Sequence, residues 1–178
     1  MTAVDLKPLR ALLRAQTIAA LATLHRGEPA VSMVPFVLDE PAPAFVIHVS
    51  SLAAHTRDMH EHQRVSLLVV APDDGVRPQA RLRLTVRGDA APLARDSDRY
   101  AAARALYLRR FPEAEDTFAL ADFALFAIVP LSARYVGNFA QAVSLNAEQF
   151  ARALHSAKRA GGAVPAPGWA GRAFGPGN

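Results

Sequence analysis

The sequence predicts a mainly β protein with added α-helices, a small antiparallel β-barrel carrying helices on its periphery. Six or seven short apolar or alternating segments are separated by Gly, Pro and Asp turn signals, the spacing expected of an antiparallel β fold. Apolar residues at helical spacing occur between some of those segments and at both ends of the series. At 178 residues and 51% hydrophobic, the chain suffices for one domain with a real core and is short for two.

The elements follow in order. Leu6, Leu9, Leu12 and Leu13 share one helical face, with Asp5 placed as a cap. Ile18, Ala20, Ala22 and Leu24 then alternate as a strand that stops at Arg26-Gly27-Glu28-Pro29. A second strand runs from Ala30 to Leu38 and a third from Ala44 to His48, the three expected to form a meander. A helix from about Leu52 to Glu61 leads to a buried strand over Arg64 to Ala71 and an alternating one over Ala80 to Arg87. Asp96 and Ser97 cap a helix from Asp98 to Arg110, and a further helical turn or two fits Pro112 to Leu120. Phe123 to Val129 and Ala133 to Phe139 read as two strands parted by Pro130. Asn146 and Gln149 form a capping box for a last helix ending near Lys158. Residues 1–159 are therefore expected as the folded domain and 160–178, rich in Gly, Pro and Ala, as a flexible tail.

Composition narrows the chemistry. With no cysteine, disulfides, thiolate metal sites and cysteine nucleophiles are ruled out. No apolar run reaches the roughly 20 residues that span a bilayer, and a signal-peptide pattern is missing, so a cytoplasmic protein without membrane association is expected. The net charge of +4 is nearly all arginine, Lys7 and Lys158 being the two lysines. Those arginines are interspersed with carboxylates, so nucleic acid is not expected as a partner.

Three constellations could carry function. Ser32-Met33-Val34-Pro35-Phe36 places a proline inside a strand, which confines that strand to an edge, a bulge or a ligand-facing position. Ser50, Ser51, His55, Thr56 and Arg57 gather where a strand hands over to a helix. That is either a Ser N-cap with a solvated helix behind it or a seat for an anion at the helix N-terminus. Arg81, Arg83, Thr85 and Arg87 fall on one side of an alternating strand, which calls for solvent exposure or a neutralising anion. His55, His60 and His62 miss the i, i+4 spacing of helical metal pairs, so no metal site is expected. The sequence contains no nucleophile elbow, P-loop or dinucleotide fingerprint. Tyr107 and Asp122 are the candidates for acid–base work, and any redox chemistry would come from a bound cofactor.

In this order these segments resemble the FMN-binding split-barrel family related to pyridoxamine 5'-phosphate oxidase, closest to its haem-utilisation branch. The matches are Ser32 to Phe36, Ser50 with Leu52-Ala53 and His55-Thr56-Arg57, Arg64 to Leu68, Arg83-Leu84-Thr85 before Gly88, Tyr107-Leu108 before Phe111-Pro112, Asp122-Phe123, and Gly137-Asn138-Phe139. The resemblance implies a six-stranded antiparallel split β-barrel, a homodimer, and FMN held at the subunit interface for an oxidoreductase acting on a small-molecule substrate. It implies FMN contacts from Ser32, Met33, Val34, Pro35 and Phe36, phosphate contacts from Ser50, His55, Thr56 and Arg57, and a flavin contact from Arg83. Ala54 and His55 stand where the oxidase has an Arg-Lys pair on the FMN phosphate, and the oxidase's C-terminal arginine motif has no counterpart here. The alternative implied by the same branch is a haem-binding or haem-degrading protein, for which His155 is the candidate ligand.

Overall fold

The computed structural model describes residues 6–73, 75, 77–137 and 142–155. Helix α1 (Lys7–Ala15) precedes strands β1 (Ile18–His25), β2 (Glu28–Pro35), β3 (Val37–Asp39) and β4 (Ala44–Ser50). Helix α2 (Ala54–Glu61), β5 (Arg64–Val70) and β6 (Arg83–Pro92) follow, then α3 (Asp98–Arg110), α4 (Glu115–Phe118), the long β7 (Phe123–Val136), β8 (Ala142–Asn146) and α5 (Ala147–His155). All pairings are antiparallel, in the order β2-β1-β5-β6-β7-β4-β3, with β8 also on β7. The sheet curls into the split-barrel form. No helix among the described residues is long and apolar enough to cross a membrane.

Local chemistry explains the turns and ends. Arg26 and Gly27 have φ of 54° and 86°, the double positive φ of a two-residue hairpin turn whose twist suits the flanking strands. The inner face carries Leu21, Phe45, Ile47, Leu67, Leu84 and Phe126, all at 0% exposure. Leu9, Leu12 and Leu13 of α1 and Phe150, Ala153 and Leu154 of α5 complete this core. The two helices are tied by Arg10 Nη1, which donates to the Ala153 carbonyl at 2.7 Å. A second apolar cluster packs Tyr100, Ala103 and Tyr107 of α3 and Phe118 of α4 against Val37, Val46 and Leu125 on the other side of the sheet.

The structure corrects the expected topology in three places. The second expected strand divides at Phe36, so the first three do not form a simple meander: β2 pairs with β1, while Val37–Asp39 forms β3 beside β4, which also pairs with β7. The chain leaves the first hairpin at Phe36, whose N–H donates to the Thr17 carbonyl at 3.0 Å, and β3 then joins β4. The strands flanking Pro130 are one continuous strand rather than two, and with the short β3 and β8 the count becomes eight. Pro130 is accommodated because the β6–β7 register shifts between Arg87 and Gly88, placing Gly88 opposite it, and a bulge tolerates a residue that cannot donate. Finally, β6 starts at Arg83, a 3-10 turn occupying Pro78–Ala80. Asn138, Phe139 and the expected tail of 160–178 lie outside the described residues.

Gly88 has no room for a side chain. A Cβ there would sit 2.5 Å from the Val129 carbonyl oxygen and 3.0 Å from Ile128 Cγ2. Gly88→Ala should therefore destabilise the protein by about 2 kcal/mol or more, the scale of overpacking a closed interior. The check is urea unfolding, where the midpoint should fall with the m-value unchanged.

Candidate functional site

Two candidate surfaces emerge, one at the β4–α2 junction and one on the outer face of the sheet. At the junction, Ser50 ends β4, and its hydroxyl donates to Asp122 Oδ2 at 2.7 Å while accepting the Leu52 N–H at 3.1 Å. Thr56 Oγ1 donates to the Ser50 carbonyl at 2.7 Å. His55 Nδ1 lies 3.2 Å from Ser32 Oγ. The structure thus brings together Ser32, Ser50, His55 and Thr56 from β2, β4 and α2, while Arg57 points to solvent. The Ser N-cap is not formed: the cap position of α2 is held by Ala53, which has no side-chain acceptor.

The next turn of α2 holds a polar cluster that sequence reasoning missed. Asp58 is buried, at 3% exposure. It accepts from Thr23 Oγ1 at 2.8 Å and sits 2.8 Å from His25 Nδ1. Burial pushes its carboxyl upward, but the His25 and Thr23 hydrogen bonds and the two nearby imidazoles hold it below the usual range, so it is ionised at neutral pH. Burial lowers the pKa of His55, against the opposing pull of Asp58, so its ring is neutral there. Only a carboxylate placed on α2 so as to meet β1 could have signalled this cluster, and that requires the tertiary packing.

The outer face is different in character. Because side chains alternate along β2, Val31, Met33 and Pro35 face out while Ser32 and Val34 face in. Val31 is 71% exposed and Met33 63%, whereas Val34 and Phe36 are each at 1%, so the expected Ser32-to-Phe36 contact set is divided between two environments. Register aligns Met33, Ala20, Leu68, Thr85, Arg134 and Ser144 as one row across the sheet. The neighbouring row is Val31, Ala22, Ser66, Arg87, Ser132 and Asn146. Each row passes from apolar residues on β2 and β1 to a single guanidinium, Arg134 of β7 in the first row and Arg87 of β6 in the second.

The expected arginine face is corrected by one member. Arg81 precedes β6 and pairs with Asp73 at 2.6 Å, and Arg134 takes its place opposite Thr85. Arg83 Nη1 donates to the Gln79 and Arg81 carbonyls at 3.0 and 3.2 Å. Arg87 Nε and Arg134 Nη1 donate to the hydroxyls of Ser132 and Ser144 at 3.1 and 3.2 Å. None of these three arginines forms an ion pair among the described residues, so their charge is uncompensated on this face. No group of three or more metal-ligating side chains is present among the described residues.

The family described as pyridoxamine 5'-phosphate oxidase matches residues 6–137. The chain belongs to that family. Within the wider set of relatives, it is 33% identical over 155 residues to the non-canonical heme oxygenase HOZ, chloroplastic, of Arabidopsis thaliana, covering 85% of this chain and 46% of that protein. It therefore spans about half the length of that curated relative. Among solved structures, a heme binding protein from Mycobacterium smegmatis superposes with a TM-score of 0.76 at 29% identity, covering 85% of this chain and 61% of the other. HutZ of Vibrio cholerae, described as a heme storage protein, gives a TM-score of 0.64 at 29% identity, covering 71% and 91%. Proteins described as a heme oxygenase, a heme binding protein and a heme storage protein are thus similar to this chain.

Two residues before Ser50, His48 adds a titratable group to the same face of β4. Its ring stacks on Phe118 with centroids 3.8 Å apart, and Nε2 is buried without a partner among the described residues. Burial first, and the Arg95 charge second, lower its pKa from 6.5 to about 4. The unfolded chain thus binds a proton between about pH 6.5 and 4 that the folded chain does not, and stability should fall as pH drops through that window. His55 acts in the same direction. His48→Phe should flatten part of this slope, by an amount on the order of 3 kcal/mol between the ends of the window, as read from urea unfolding at a series of pH values.

Proposed function

We propose that this protein binds haem on the outer face of its sheet, as one subunit of a homodimer. The observation that carries the reading is the amphipathic face itself: apolar residues on β1 and β2, with Leu68 of β5, continuous with Arg83, Arg87 and Arg134 on β6 and β7. Haem is an apolar macrocycle bearing two carboxylates, so its ring would lie against Ala20, Val31, Met33 and Leu68 with its carboxylates toward the arginines. The described heme-binding relatives support the same choice. A second copy of the chain would cover the exposed Val31 and Met33 side chains, which favours a dimer.

His155 ends α5, which closes the inner face, so it is proposed as a ligand to the iron from the second copy of the chain. Its Nδ1 lies 2.8 Å from the Ala151 carbonyl, so the proton resides on Nδ1 and Nε2 keeps the lone pair that an iron requires. The iron would supply any redox chemistry, and the arginines and the apolar strands hold and orient the ring.

A second reading, FMN, is favoured by the meeting of Ser32, Ser50, His55 and Thr56 at one strand–helix junction, with Arg57 and Arg83 as further contacts. The junction is less suited to a phosphate dianion than its composition suggests. Both Ser50 and Thr56 hydroxyls already donate within the protein, the Asp122 carboxylate stands beside them, and His55 is neutral.

Separate titrations with haemin and FMN distinguish the two. Haemin should give a saturable visible-absorbance change, Met33→Asp and Arg87→Glu should each weaken it about tenfold or more, and His155→Ala should alter the spectrum of the complex. Sedimentation should report a dimer. Saturable FMN binding with no response to haemin would replace this reading by the flavin one, and unaltered haemin affinity in both face variants would displace the site.

A further inference from the structure

On the other side of the molecule, the end of α1, strand β3 and the last turn of α3 enclose a cleft of about 250 Å³. None of its lining residues belongs to the outer face or to the β4–α2 junction apart from Phe36, whose ring is in the core. The floor is apolar: Leu13, Phe36 and Val37 are at 3%, 1% and 5% exposure, and Leu38 and Leu106 complete it.

The rim carries four charges whose partners can be assigned one by one. Arg14 is paired with Glu40 at 3.1 Å. Arg110 Nη2 donates to the Arg14 and Ala15 carbonyls at 2.8 and 3.4 Å, neutralising the negative end of α1. Arg109 borders the cleft with no hydrogen bond or ion pair to any described residue. One uncommitted guanidinium above an apolar floor selects one negative charge attached to an apolar body. Glu40, on the same rim, opposes a second negative charge. The volume lies just below the 300–1,000 Å³ of pockets that enclose drug-sized ligands, which restricts the body to a single ring or a short alkyl chain.

We propose that this cleft is a binding site for a small apolar monocarboxylate, held by Arg109 over the Leu13, Val37 and Leu106 floor. The site is independent of the haem reading and uses none of its residues.

The test is calorimetric titration of the full chain with benzoate and with hexanoate, and with benzyl alcohol and hexanol as neutral counterparts. The acids should bind saturably at millimolar concentration or below, and the alcohols at least about tenfold more weakly. Arg109→Gln should weaken the acids about tenfold or more, and Leu106→Trp, which fills the floor, should abolish binding. Haemin titration should be unchanged in both variants, so that failure here leaves the outer-face proposal standing and the reverse also holds. Absence of saturation by either acid at about 10 mM overturns the proposal. So does an Arg109→Gln affinity equal to that of the unmodified protein, a result that stands even where Leu106→Trp fails to fold.

Discussion

The pairing of β7 with three other strands is the constraint on which the rest of the structure depends. Its 14 residues bond to β6 along one edge, while the other edge is shared between β4 in the first half and β8 in the second. A straight strand of that length would splay its two partners apart. The bulge at Gly88 opposite Pro130 re-aims the strand midway and increases its local twist, so the sheet curls. Without a side chain at Gly88 the Val129 carbonyl can approach closely there, and the curl brings α1 and α5 together over a single core.

Curling also decides what each face of the sheet can do. The inner face is closed by α1 and α5 and is occupied by Leu, Phe, Ile and Val side chains packed to exclusion of water. The outer face is covered only where α3 and α4 lie on β3, β4 and β7. What remains open is the stretch from β2 through β6 and the second half of β7. On β1 and β2 the alternating pattern places apolar residues outward on strands whose inward residues are largely apolar as well. Such a doubly apolar strand is stable in water only at a cost, and a large ring or a second subunit lying on it removes that cost. The arginines at the far end of the same rows give the covering group a direction.

Legibility from sequence followed the range of the interactions involved. The β1–β2 hairpin was readable because its turn is a two-residue, positive-φ device encoded by Arg26-Gly27. The capping box of α5 was equally local: Asn146 and Gln149 exchange hydrogen bonds at 2.9 and 2.8 Å. Strand partnership was not readable, since period-two alternation records which side chains face a core and says nothing about which strand lies alongside. Hence the second strand was expected as one piece beside β4 but only its end, β3, lies there, with β7 on the other side, and Pro130 was read as a break where a bulge absorbs it. At the β4–α2 junction the convergence of Ser32, Ser50, His55 and Thr56 was legible as a cluster of residue types. Its charge was not. Asp122 enters from 72 residues away and Asp58 is drawn inward by Thr23 and His25, contacts that no local pattern announces.

Those two carboxylates change what the junction can be. A strand end followed by a helix start offers unpaired N–H groups, and hydroxyls placed there can either receive an anion or satisfy the protein's own groups. Here the second outcome is realised: Asp122 is the anion that the Ser50 hydroxyl serves, through 2.7 Å, and the Ser51 N–H donates at 2.7 Å to the backbone carbonyl of that same residue. Asp58 does the equivalent work for α2 and β1. Buried and ionised, it would be strongly destabilising without its partners, so its hydrogen bonds to Thr23 and His25 fix the helix to the hairpin at one rotation and one height. The junction is thus a polar fastening built from internal carboxylates. Arg83, Arg87 and Arg134 on the outer face, whose donors reach only hydroxyls and carbonyls, carry unopposed positive charge, and an acidic ligand gains more by meeting them than by displacing Asp122.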